Sequence, residues 1–85
     1  MLKVEVFSSP GCSKCTQAKS MLKAIVEEIG QGRVTWREVN ILEEMDYAVE
    51  LGVMASPAIA IDGKLAFVAL PSASKLRSEL AKRLT

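Results

Sequence analysis

With 85 residues, 49% apolar and 25% charged, the chain has the balance of one globular domain, 1–85, whose core suffices to fold alone with little to spare. A formal charge of +1 argues against nucleic acid or an anionic membrane as the main partner. No apolar run reaches the roughly 20 residues of a membrane span, and the absence of histidine removes imidazole acid–base chemistry and mixed Cys/His metal sites.

The opening segment, Met1 to Phe7, alternates like a strand and lacks the long apolar stretch of a signal peptide, so the expected compartment is the cytoplasm. Lys3 to Ser8 is the predicted first strand, ended by the turn Ser9-Pro10-Gly11. From Cys12 to Ile29, the residues Cys15, Ala18, Leu22, Ile25, Val26 and Ile29 keep helical spacing on one face. Lys19, Lys23 and Glu27 fall largely elsewhere, and Gly30 is a helix stop. Val34 to Asn40 is rich in strand formers. Glu43 to Leu51 is a predicted second helix, with acidic residues in its first turn and Gly52 at its end.

Pro57 to Ile61 is an apolar run suited to a strand buried on both faces. Asp62-Gly63 is a two-residue hairpin signal leading into a strand from Leu65 to Ala69. Ser72 caps a closing helix in which Leu76, Leu80 and Leu84 repeat every four residues. The predicted order is βαβαββα. The first two strands, joined through a helix, are parallel, and the last two form an antiparallel hairpin. Trp36 is expected in edge-strand packing, and Lys75, Arg77, Lys82 and Arg83 on a solvated helix face.

The two cysteines sit together as Cys12-Ser13-Lys14-Cys15, where the first strand gives way to the first helix. A helix N-terminus concentrates positive potential and unpaired N–H groups, which favours a thiolate. A thiol pair placed there can store and exchange two electrons. Cys12 at the helix start is the candidate nucleophile, helped by Lys14. Cys15, one turn on and on the apolar face, is the candidate resolving thiol. In a reducing compartment such a pair is catalytic or metal-binding rather than a structural staple.

The order of elements, with CxxC opening the first helix, resembles the thioredoxin fold in its minimal, glutaredoxin-sized form. Three segments carry the resemblance: Phe7 to Cys15, Leu51 to Pro57, and Ile61-Asp62-Gly63-Lys64. It implies an α/β fold with a mixed four-stranded sheet flanked by helices, and thiol–disulfide exchange needing no cofactor beyond the Cys12–Cys15 pair. It also implies a cis-proline at Pro57 lying against the cysteines, and a Ser56 backbone that pairs with an extended substrate. Gly11, Met54, Ala55 and Leu70 would then form a shallow apolar rim. Implied partners are disulfide-bearing client proteins and a thioredoxin-reductase-type electron donor, for a protein acting as a monomer.

The chain departs from the family pattern at named positions. Gly11 stands where thioredoxins usually carry tryptophan, and Ser13-Lys14 where they carry Gly-Pro. Val6 occupies the place of their buried carboxylate, while Glu5, one position away, points to the opposite face of the strand. Glutathione-using glutaredoxins usually have a basic residue before the first cysteine and a Gly-Gly-x-Asp-Asp-like segment after the hairpin. Ser8-Ser9-Pro10 and Ala69-Leu70-Pro71-Ser72 stand there instead, which speaks against glutathione. The competing reading is a soft-metal carrier holding copper or zinc through the CxxC thiolates. Such domains resemble a βαββαβ order, which this sequence does not predict.

Overall fold

The computed structural model describes residues 2–30 and 32–84; Met1, with which the alternating segment opens, lies outside them. Seven elements follow in chain order: β1 (Leu2–Ser8), α1 (Ser13–Ile29), β2 (Val34–Asn40), α2 (Met45–Leu51), β3 (Ala58–Ile61), β4 (Lys64–Phe67) and α3 (Ala73–Leu84). This is the expected βαβαββα order. The strands form one mixed sheet in the spatial order β2-β1-β3-β4. β1 runs parallel to β2 and antiparallel to β3, and β4 runs antiparallel to β3.

Strand alternation divides the core into two clusters. Leu2, Val4 and Val6 of β1 face α1 and α3, packing with Leu22, Ile25, Leu76 and Leu80. Phe7 faces the other way, into a smaller cluster with Val39, Ala48, Ala58 and Ala60 beneath α2. β3 is buried along its whole length because helices cover both of its faces. Trp36 is half-buried on β2, an edge strand, and packs against the larger cluster.

Five elements differ from expectation at a boundary: β1 begins at Leu2 rather than Lys3, α1 begins at Ser13 with Cys12 as its N-cap, and α2, β3 and β4 differ for local reasons. α2 starts at Met45 rather than Glu43, because Asn40 organises the preceding turn. Its carbonyl accepts from the N–H groups of Glu43 and Glu44, and its side chain from Leu42. β3 starts one residue after Pro57, which has no N–H for the ladder. β4 starts and ends earlier than the predicted Leu65 to Ala69. The two-residue turn puts Lys64 directly opposite Ile61, with Asp62 and Gly63 both at positive φ. On α3, Ser72 accepts a hydrogen bond from the Lys75 N–H at 3.2 Å. Arg77 and Arg83 are exposed and form ion pairs with Glu28 and Glu79.

Candidate active site

The site is built where β1 ends. Ser8 is the last residue of the strand, and Gly11, at φ +76°, takes the left-handed conformation that turns the chain into α1. Cys12 is the N-cap of that helix, and Cys15 lies in its first turn. The two are joined as a disulfide, with Cα atoms 5.3 Å apart. Cys15 is buried at 2% exposure, whereas Cys12 is half-buried and reachable from solvent. The Cys15 N–H points at Cys12 Sγ, 3.1 Å away. A sulfur at an N-cap thus takes the place of the usual serine or aspartate oxygen, and a thiolate formed there receives a backbone hydrogen bond.

The loop before β3 closes on this turn. Ser56-Pro57 is a cis peptide, Pro57 is buried, and the Ser56 hydroxyl shares a 2.7 Å hydrogen bond with that of Ser9. That bond ties the proline loop to the residues leading into the cysteines. Lys14 is exposed at the helix start. A cleft of about 400 Å³ runs beside the disulfide and is lined by Gly11, Cys12 and Cys15 together with Ser8, Lys19 and Glu38.

Met54 and Ala55 do not line that cleft. Met54 is 97% exposed and, with Ala55, borders a separate apolar hollow of about 280 Å³ whose other walls include Val53, Leu65 and Val68. Leu70 turns inward and packs on the α1–α3 side of the core. The four residues expected to form one rim are therefore distributed over three places.

Sequence reasoning missed one cluster. The buried Ser8 hydroxyl donates to Glu38 Oε2 at 2.6 Å, and Lys19 Nζ lies 3.1 Å from the same oxygen. The Ser8 hydrogen bond first, and then Lys19, hold the Glu38 carboxyl below the ordinary carboxylate range. The signal was present but spread over three elements. Lys19 follows Cys12 and Cys15 at helical spacing, and the parallel register sets Glu38 beside Val6. The register could not be read from either strand alone.

Comparison with known proteins agrees with this geometry. A family model described as thioredoxin domain matches residues 2–81. The chain is 34% identical to a thioredoxin of Methanocaldococcus jannaschii over 98% of its length and 96% of that protein. It is 36% identical to a probable thioredoxin of Methanothermobacter thermautotrophicus over 89% of its length and 88% of that protein. Its fold superimposes on a mutant thioredoxin of Halobacterium salinarum with a TM-score of 0.83, covering 99% of this chain and 75% of that one, at 17% identity. A CxxC disulfide at the start of α1, a cis-proline loop tied to it and these relatives lead to one assignment: the chain belongs to the thioredoxin family and is a thiol–disulfide oxidoreductase.

Proposed function

We propose that the chain reduces disulfides of other proteins, with Cys12 as the attacking thiolate and Cys15 as the resolving thiol. The observation that carries these roles is the asymmetry of the pair. Cys12 Sγ is reachable and faces a backbone N–H, while Cys15 is enclosed by the core. Attack by Cys12 breaks the client disulfide and forms a mixed disulfide. Cys15 then attacks Cys12 Sγ, and the client leaves as its second thiolate. The client gains two electrons and the Cys12–Cys15 pair loses two.

Gly11, Lys14, Met54, Ala55, Ser56 and Pro57 are the residues we assign to client contact, with Ser56 offering its backbone to an extended segment. The separate hollow beside Met54 and Ala55 extends this surface away from the sulfur atoms. The partners in this reading are disulfide-bearing proteins and a thioredoxin-reductase-type donor, in a reducing, cytoplasmic setting. Glutathione has no evident place beside Ser8-Ser9-Pro10.

Two experiments test this reading. Cys12→Ser should abolish disulfide reduction, and Cys15→Ser should accumulate client proteins as mixed disulfides; turnover by the Cys12→Ser variant would refute the assignment. A redox titration with thiol trapping should give a reversible two-electron step between about −200 and −290 mV. Stoichiometric metal on the cysteines without such a step would favour the carrier reading instead.

A further inference from the structure

We propose that Ser9 is a positioning residue for client binding: through the Ser56 hydroxyl it holds the proline loop ready for an extended client segment. The proposal rests on the client-contact role given above to Ser56 and Pro57. Ser9 acts through Ser56 and not on the reacting sulfur atoms.

The loop has little else to hold it. It starts where the Val53 N–H donates to the Ala48 carbonyl at 2.9 Å, and it ends where Pro57 is buried and β3 begins. Between these points Met54 is 97% exposed, and Ala55 is exposed as well. Across Met54 to Ser56, the one hydrogen bond among the described residues is the 2.7 Å bond between the Ser56 and Ser9 hydroxyls. A segment with few buried contacts and few hydrogen bonds opens locally with little resistance. This bond therefore decides how closely the loop is held.

The sheet register explains why the two serines meet although 47 residues separate them. β1 and β3 are antiparallel, with Phe7 opposite Ala58. Continuing that register two residues past the ladder sets Ser9 opposite Ser56. Residues opposite one another on antiparallel chains project to the same side, and a hydroxyl pair there bonds across the gap. Both serines are half-buried, so water competes only partly for the bond.

The Ser9 end of the bond is anchored at the sulfur site. Its carbonyl accepts from the Cys12 N–H at 3.3 Å, in the turn that Gly11 completes at φ +76°. Ser9 thus bonds in two directions. Its backbone reaches the cysteine that attacks, and its side chain reaches the loop that receives the client.

A client segment paired with the Ser56 backbone must also present its disulfide to Cys12 Sγ. With the hydroxyl bond intact, the loop is already placed for both contacts. Without it, part of the binding free energy is offset by ordering the loop. That cost falls on binding and not on the chemical step, because the seated client holds the loop in the same place. A small disulfide that does not reach Ser56 is indifferent to the loop.

Two substrates separate these effects: a mixed disulfide of free cysteine with a coloured aromatic thiol, and the same group on the cysteine of an extended peptide. Stopped-flow release of the thiolate by the pre-reduced protein, followed against substrate concentration, gives a half-saturating concentration and a limiting rate. Ser9→Ala keeps the carbonyl that Cys12 uses and removes only the tie to the loop. It should raise the half-saturating peptide concentration about three- to tenfold, with the limiting rate and the reaction of the small disulfide unchanged. Ser9→Thr retains a hydroxyl and should recover most of the loss. Ser56→Ala should match Ser9→Ala, and the double variant should be no worse than either, as expected of one shared interaction. A wild-type half-saturating concentration in Ser9→Ala would overturn the proposal. So would an equal loss on both substrates, or losses at the two serines that add. If the wild-type protein saturates no more readily with the peptide than with the small disulfide, the client-contact reading of Ser56 and Pro57 falls instead.

Discussion

One position along β1 decides what a carboxylate there can do. Glu5, on the face toward α2, is largely buried and meets Arg37 at 2.7 Å and the Tyr47 hydroxyl, which donates to it. Two acidic side chains of the sheet therefore serve opposite sides of the molecule: Glu38 faces the cysteines, and Glu5 braces α2 against the sheet. Hydrogen bonds to charged groups contribute about 1.5–3 kcal/mol where they are buried, and Tyr47 is half-exposed. Tyr47→Phe should therefore lower stability in urea by about 1–2 kcal/mol. Arg37 remains to neutralise Glu5, so disulfide reduction should proceed at the wild-type rate. A loss of activity without a loss of stability would mean that the α2 face communicates with the sulfur site.

At the scale of elements, legibility followed the range of the interactions. α1 was readable because its apolar stripe, its start at Cys12 and its stop at Gly30 are all local features. The start of α2 was not, because Asn40, placed in the preceding strand, turns the chain through the acidic pair Glu43-Glu44 and sets the start two residues later than expected. The cysteines and Pro57 were visible as motifs. The Ser8–Glu38–Lys19 cluster needed the β1–β2 register, a long-range property that no short window contains. α1 also holds the cysteines by packing rather than by its own helix propensity. Leu22 is fully buried between α1 and the sheet. Leu22→Ala should cost about 2–5 kcal/mol, a large share of the roughly 5–15 kcal/mol typical of a small domain. A stability loss in urea unfolding of less than about a third of that would mean that the cavity collapses and that the core around α1 is not closely packed.

For the molecule as a whole, the two faces of the sheet set opposite ends of its pH range. On the α1 face, the Glu38 carboxyl is held below its ordinary 4.5 by Ser8 and Lys19, so the folded state binds fewer protons than the unfolded one as acid is added. That contribution to stability is present above about pH 4.5 and is lost as the pH falls through the folded value. On the α2 face, the hydrogen bond to Glu5, and then burial, raise the Tyr47 hydroxyl above its ordinary 10.0. This contribution is complete below about pH 10 and is lost as the pH rises through the folded value. The chain has no histidine, and in the oxidised form both cysteines are locked in the disulfide. No side chain with an ordinary pKa near neutrality remains. The melting temperature of the oxidised protein should therefore be flat between about pH 6 and 9, falling on the acid side with Glu38 and on the basic side with Tyr47. Reduction introduces two titratable thiols and nothing else, so a slope that appears in this window only after reduction belongs to Cys12 and Cys15. Melting curves of the two redox forms across that window would read the thiolate directly. An equal slope in the oxidised protein would show that another group governs its neutral-pH stability.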